Sequence, residues 1–293
     1  MDWRLLLYRA KAWLKFHLTA WNTGGEGVHS PYLFEWVRMV MSDKHGYYKW
    51  NEIEACRERM LLDNRVLRYV DYGKGSLFVQ PSVDSECCER SRKGRIDERK
   101  VSDIAKGSLA QKQYAQMLFR LVNWLGHDVC KESKEIAPRQ GITVVELGTS
   151  LGITTAYLAS VDTRNRVLTY EGCGAVADVA RENWRKLGLD NIACYVGEID
   201  VDKLREQVAQ VDIAFIDANH TYASTLAYFN VLAEKVHKKS VIVVDDIHHS
   251  EEMERAWKEI CADDRATSTM DLFQMGLVFF DKYYWRRNYR MRL

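Results

Sequence analysis

From residue 142 onward, five short runs rich in β-branched residues recur: "ITVVEL" (142–147), "RVLTYE" (166–171), "IACYVG" (192–197), "VDIAFID" (211–217) and "SVIVVDD" (240–246). Amphipathic patterns of helical period lie between and after them, at 151–160, 174–188, 201–209, 221–236 and 250–262. A strand that returns to the sheet through a helix runs parallel to its predecessor, a connection no tight hairpin can make. The alternation therefore predicts an α/β fold: a central parallel sheet with helices on both faces. The end of the chain departs from the rule. "ATSTMDLF" and "GLVFFD" are separated only by "QM", too short for a crossover, so they predict an antiparallel hairpin closing the sheet at its edge.

Ahead of the alternation, "DIAKGSLAQKQYAQMLFRLVNWLG" (103–126) reads as one long helix with Asp103 at its N-cap. Residues 1–102 have a different texture and read as a mainly helical extension, with 103–293 as the α/β domain. In "MDWRLLLYRAKAWLKFHLTAW", Trp3, Leu6, Leu7, Ala10, Trp13, Leu14, Leu18 and Trp21 follow helical spacing, while Arg4, Arg9, Lys11 and Lys15 fall largely elsewhere. Such a helix can lie on a membrane surface. Packing on its own protein or on a second copy is the preferred reading, which leaves a homo-oligomer through the N-terminal helices open. "NTGGEGVHSP" breaks this helix, another begins after Pro31, residues 50–68 are helical in pattern, and the polar, basic stretch 80–102 reads as a surface loop or flap.

Composition narrows the function classes. A net charge of +1 gives no reason to expect nucleic acid as a partner, and no run approaches the roughly 18 apolar residues of a transmembrane segment. The N-terminus lacks the order of a secretory signal. The seven cysteines include no CxxC pair, which favours reduced thiols and a cytoplasmic location.

Two glycine clusters compete for the role of a cofactor turn. "YVDYGKGS" (69–76) is followed by Pro81 and no helical periodicity, so it makes a poor cradle and reads as a lid or substrate-side loop bending at Gly73 and Gly75. "VVELGTSLG" (144–152) ends a strand and leads directly into a helix. Gly148 and Gly152 let the backbone turn sharply and approach a ligand closely. Ser150 stands where a dinucleotide-binding G-x-G-x-x-G has its second glycine. The next strand ends in Glu171-Gly172, 25 residues after Glu146, where an acid can accept hydrogen bonds from both hydroxyls of a ribose. Gly197-Glu198 closes the third strand. The fourth ends in Asp217-Ala218-Asn219-His220 and the fifth in Asp245-Asp246, followed by His248 and His249. Strand ends of a parallel sheet converge on one rim, so His220 is a candidate proton acceptor there, with an ordinary pKa near ~6.5. Adjacent histidines diverge in an extended segment, so His248 and His249 are not expected to share one metal ion, and Ser250 reads as a helix cap.

Glu-x-Gly-x-x-x-Gly, the acid ending the second strand and the closing hairpin together resemble the class I S-adenosylmethionine-dependent methyltransferases. The runs "ELGTSLGITTAYLA", "YEGCGAVADVARENW", "FIDANHTY", "VVDDIHHSEEMERAW" and "DLFQMGLVFF" are similar to a bacterial group of these enzymes. "GVHSPYLFEWV" and "VDYGKGS" also look like that group's N-terminal extension. The resemblance implies a Rossmann-like methyltransferase fold, S-adenosylmethionine as cofactor and a small-molecule acceptor, methylated at oxygen. It implies that Glu146, Gly148, Thr149, Ser150 and Gly152 form the turn holding the methionine part. Glu171 and Gly172 would serve the ribose and Glu198 the adenine side, with Asp217 a further cofactor-binding candidate. Asp217 and His220, read from their place at the end of the fourth strand, are the candidate catalytic residues. Metal-dependent catechol-type O-methyltransferases are similar at Asp217, Asp245 and Asp246, whose oxygens suit Mg²⁺. Two departures count against that version: Asp246 replaces an amide and His220 a lysine, so a divalent metal is compatible but not expected. The competing classes are a cofactor-binding protein or assembly partner without turnover, and a nicotinamide oxidoreductase. The latter is disfavoured by Ser150 and the terminal hairpin.

Overall fold

The computed structural model describes residues 3–20, 24–25, 27–71, 95–132, 141–282 and 286–293. The extension contributes helices α1 (Trp3–Thr19), α2 (Pro31–Trp36), which runs on into a π turn over Val37–Met41, and α3 (Tyr48–Leu62). Strands β1 (Val66–Asp71) and β2 (Arg95–Lys100) then pair as an antiparallel ribbon, Val66 opposite Lys100. The described end of the stretch expected as a loop over 80–102 is therefore strand β2, running directly into α4 (Val101–Ser108). Residues 72–76 of "YVDYGKGS" lie outside the described residues, as does the lid reading attached to them.

The single helix expected over 103–126 is two. Helix α4 stops at Ser108, and α5 (Lys112–Glu132) starts after a break at Leu109-Ala110-Gln111. Gly107-Ser108 explains the interruption: glycine weakens a helix and the Ser108 hydroxyl bonds back to the Ile104 carbonyl at 2.8 Å. Asp103 sits inside α4, whose N-cap is Lys100. The boundary expected between 102 and 103 thus falls within a helix.

The α/β alternation follows the sequence pattern: β3 (Thr143–Leu147), α6 (Ile153–Ala159), β4 (Arg166–Glu171), α7 (Gly174–Lys186), β5 (Ile192–Val196), α8 (Val201–Gln207), β6 (Val211–Ile216), α9 (Tyr222–Ala233), β7 (Val236–Asp245) and α10 (Glu251–Ala262). It ends in β8 (Ser268–Asp271), β9 (Met275–Phe279) and β10 (Arg287–Arg290). The eight-stranded sheet has the order β10-β8-β9-β7-β6-β3-β4-β5, and β9 runs antiparallel to both its neighbours. Strand order reverses between β3 and β6, the switch point beyond which ligands bind in such sheets. Strand β7 begins four residues earlier than its apolar run. Val236 already pairs with Val211 across a register irregularity, and the Ser240 hydroxyl donates to the Val211 carbonyl at 2.6 Å.

Alternating side chains send Val144, Ile213, Phe215, Val241 and Val243 to one face of the sheet, where α2 and α5 cover them. Val145, Ala214, Ile216, Ile242 and Val244 point to the other face, under α9 and α10. The extension is therefore part of the core. Leu33, Trp36, Val37 and Val40 are fully buried against α5 and the sheet. Burial of each such side chain stabilises by roughly 1.5–3 kcal/mol as an upper bound, so together they rival a whole domain's net stability. Arg120 fastens the same seam from α5, donating from Nε to the Val40 carbonyl at 2.7 Å.

Candidate active site

A cavity of about 590 Å³ opens beyond the carboxyl ends of β3, β4, β5, β6 and β7, where the strand order reverses. On one side stands the turn after β3. The Gly148 and Thr149 amides both donate to the Tyr170 carbonyl, at 3.0 Å each. Gly148 has φ +104°, and a Cβ there would lie 2.0 Å from the Asp217 carbonyl oxygen. Only glycine allows the ends of β3 and β6 to meet this closely. Ser150 adopts a left-handed φ of 49° and donates its N–H to Glu171 Oε2 at 2.8 Å. Cys173 N–H meets the other oxygen, Oε1, at 2.9 Å. Burial pushes the Glu171 carboxyl above its ordinary range, opposed by these amide hydrogen bonds.

Gly148, Ser150, Glu171, Gly172, Glu198 and Asp217 all line the cavity. Glu146, Thr149 and Gly152 stand behind its wall. Glu146 is completely buried, and its Oε2 accepts from Thr155 at 2.5 Å and Thr169 at 2.6 Å. Its Oε1 has no partner among the described residues. Burial pushes the Glu146 pKa up to about 8, against the lowering effect of the two hydroxyls. Gly152 serves packing: a Cβ would collide with the Trp184 indole, whose Nε1 donates to the Gly152 carbonyl at 2.8 Å.

The opposite side is built by two left-handed turns. After β6, Asn219 (φ 61°) and His220 (φ 39°) reverse the chain, and Asn219 is anchored by the Tyr228 hydroxyl at 2.9 Å. This brings His220 Nε2 to 3.3 Å from Asp217 Oδ1 and Nδ1 to 3.9 Å from Asp246 Oδ2. After β7, Asp246 (φ 55°) turns its carboxylate toward His249 Nδ1 at 3.2 Å and accepts from the Gln274 amide. The His220 and His249 rings stack with centroids 5.9 Å apart. Non-glycine residues in this region store strain of order 1–3 kcal/mol each, which persists where surrounding structure imposes it.

Charge is distributed unevenly over these carboxyls. Burial, then the neighbouring Asp217 and Asp246 charges, push Asp245 well above its ordinary range, and it hydrogen-bonds to Asp217. Asp217 is also raised by burial, opposed by His220. Burial opposes ionisation of Asp246 too, but the His249 hydrogen bond and the nearby His220, His249 and Arg9 hold its carboxyl below the ordinary range. The surroundings thus favour the protonated form at Asp245 and the ionised form at Asp246.

Three contributors escaped sequence reading. The break between α4 and α5 places Ser108 and Gln111 in the wall, and Ser108 Oγ lies 2.6 Å from Ser150 Oγ. Glycine and serine inside a helical pattern are the signal that a break is there. Gln274, from the β8–β9 turn, carries no motif. Arg9 comes from α1: its Nε donates to the His249 carbonyl at 3.1 Å and its Nη2 lies 2.7 Å from His249 Nε2. Arg9 Nη2 also lies 2.5 Å from His249 Nδ1, so the guanidinium sits against the ring and joins α1 to the turn after β7. His248 diverges from His249 as its spacing predicts, reaching Asp271 Oδ2 at 2.9 Å and stacking on Phe273. Ser250 caps α10 through the Met253 amide at 3.3 Å. Among the described residues, no three His, Cys, Asp or Glu side chains come together as a metal-binding group.

Parallel strands ordered about a β3/β6 switch point, an antiparallel strand inserted next to β7 and a glycine turn facing an acid at the end of β4 form a Rossmann-like α/β fold with its ligand cavity at the switch point. Residues 145–247 match the model of a family described as "Methyltransferase domain". No curated protein sequence matches the chain significantly. Similar solved structures include an O-methyltransferase from Bacillus cereus in complex with SAH, 21% identical with TM-score 0.46 over 59% of this chain and 83% of that one. A tomaymycin-synthesis O-methyltransferase from Streptomyces achromogenes, in complex with SAM, is 15% identical with TM-score 0.47 over 59% and 82%. A methyltransferase from Geobacter sulfurreducens is 16% identical with TM-score 0.48 over 69% and 92%. No helix among the described residues is long and apolar enough to cross a membrane.

Proposed function

We propose that the protein transfers a methyl group from S-adenosylmethionine to an oxygen of a small-molecule acceptor. The observation that carries the reading is the pairing, across one cavity, of the Gly148–Ser150 turn and Glu171 with the proton-accepting group His220. The cavity fits the cofactor in three respects. Gly148 leaves room no other residue would leave, Glu171 places a carboxyl at the end of β4, and Glu146 keeps an unpartnered buried oxygen behind the turn. About 590 Å³ lies within the range of small-molecule and cofactor sites, ~300–1,000 Å³.

When bound, S-adenosylmethionine supplies a methyl group activated by its sulfonium. The protein's part is to hold the two reactants in line and to manage one proton. Gly148, Ser150, Glu171, Gly172 and Glu198 hold the cofactor, with Glu146, Thr149 and Gly152 bracing the turn from behind. His220 takes the acceptor's hydroxyl proton at one ring nitrogen, and Asp217 and Asp246 orient the ring and stabilise its charged form. Asp217, Asp245 and Asp246 are the residues that would hold a divalent ion, with oxygen donors of the kind that suit Mg²⁺. Residues 1–102 serve as the extension flanking the acceptor side and 103–293 as the catalytic domain. Cys56, Cys173, Cys194 and Cys261 are free thiols, which supports a cytoplasmic location.

Calorimetric titration with S-adenosylmethionine and with NAD, followed by transfer of labelled methyl into a metabolite extract, tests the proposal. We expect S-adenosylmethionine to bind, NAD not to bind, and label to appear in small molecules. Binding of NAD alone would overturn the reading. Binding of S-adenosylmethionine without label transfer would make the protein a cofactor-binding partner.

A further inference from the structure

Helix α1 is held to the body by one side only. Tyr8 donates to Glu254 on α10, Arg9 engages His249, and Phe16 is buried with its ring 5.3 Å from that of Phe273. At its far end, Arg290 Nη1 donates to Thr19 Oγ1 at 3.1 Å, and Arg292 donates to the His17 carbonyl. These attachments fix the helix axis and turn the rest of its surface outward.

That outward surface is apolar over a wide arc. At about 100° per residue, Trp3, Leu6, Leu7, Trp13, Leu14 and Leu18 fall within roughly 140° of the helix circumference. They are 48–77% exposed, and two of them are tryptophans. A contiguous apolar strip of this size on a packed helix marks an interaction surface rather than scattered exposure. The adjoining arc carries the exposed side chains of Arg4, Lys11 and Lys15. No Asp or Glu occurs from residue 3 to residue 25, although the whole chain has a net charge of only +1.

We propose that α1 seats the protein on an anionic lipid surface. Leucines and tryptophans enter the boundary between headgroups and acyl chains, and the basic arc meets lipid phosphates. The charge pattern selects this occupant over a second copy of the chain. Two α1 helices packed by their apolar strips would bring basic arcs together with no acid on either helix to answer them, whereas an anionic bilayer answers both strips at once. The helix needs no transmembrane length for this, because it lies in the surface plane with its docked side toward the protein. Arg9 then links the lipid-facing helix to the cavity rim through His249.

Co-sedimentation of the full chain with vesicles tests the idea, using phosphatidylcholine alone or mixed with phosphatidylglycerol, at low and high salt, with sedimentation velocity run in parallel. We expect binding to the mixed vesicles, weaker binding to phosphatidylcholine, and release by salt. The double variants Lys11→Glu/Lys15→Glu and Trp13→Ser/Leu14→Ser should each weaken vesicle binding by about tenfold or more while leaving the thermal transition unchanged. All four residues are exposed, so folding should tolerate both changes. No sedimentation with mixed vesicles, or equal binding to both kinds, would overturn the proposal. A dimer dissolved by Trp13→Ser/Leu14→Ser, without vesicle binding, would assign the face to a second copy instead.

Discussion

The two sides of the cavity are built by different means. The turns after β3 and β4 use backbone: glycine at Gly148, amides of Ser150 and Cys173, and one carboxylate, Glu171, within 25 residues of Glu146 in sequence. The turns after β6 and β7 use side chains, joining His220, Asp217 and Asp246 to His249 and then to Arg9, which lies 240 residues away from His249. The first side is a rigid cradle set by local sequence. The second is a side-chain network of the α/β domain to which a distant helix adds Arg9.

Substitutions can separate the two sides. The largest effect is expected for Gly148→Ala, where a methyl 2.0 Å from the Asp217 carbonyl adds a collision to left-handed strain. Urea unfolding should show a loss of about 3 kcal/mol or more. Gly197→Ala shares the positive φ but meets nothing within 4 Å, so it should lose only about 1–2 kcal/mol. Equal losses would mean that strain, not the meeting of β3 and β6, governs the cradle.

Next comes His220→Ala, expected to slow methyl transfer by about 10²–10³-fold while cofactor affinity stays within about twofold. A matching loss of affinity would place His220 on the cradle side. Glu146 offers a test by pH. Its folded pKa of about 8 exceeds the ordinary 4.5, so the folded state holds a proton that the unfolded state releases between those values. Stability from this group is complete below the lower value and falls as pH rises through the higher one. Glu146→Gln should therefore gain roughly 2–3 kcal/mol on the wild type between about pH 5 and about pH 8, read from denaturation midpoints. A difference independent of pH would mean the carboxyl is ionised when folded.

Glu171→Ala should weaken S-adenosylmethionine binding by about ten- to thirtyfold, the scale of hydrogen bonds to a charged group, with a smaller effect on turnover at saturation. Together with His220→Ala it forms a crossed pair, one altering affinity and the other rate. Smallest is Arg9→Ala, expected to reduce the rate about threefold and to displace the pH–rate profile, because Asp246 loses a nearby cation and His249 its donor. Arg9→Lys should restore it only in part, since an ammonium lacks the planar fork whose Nε and Nη2 engage the His249 carbonyl and ring at once. An unchanged profile would detach α1 from the chemistry.

Much of this architecture is legible in the residues themselves. Alternating β-branched runs and amphipathic helices determine the parallel sheet, because side-chain period and connection length leave few other ways to bury those faces. Gly148, Glu171 and their separation mark the cradle, because a tight turn and an acid at successive strand ends are local properties. Tertiary structure decided the rest. It divided the expected helix over 103–126 so that Ser108 and Gln111 reach the cavity, and it drew Glu146 and Gly152 behind the wall. It buried Trp36 of the extension in the sheet's own core and carried Arg9 to His249. Periodicity reports which face of an element is apolar, but not which distant element will cover it. That choice depends on shape and charge matching between segments far apart in the chain, and it settles only when the whole core packs.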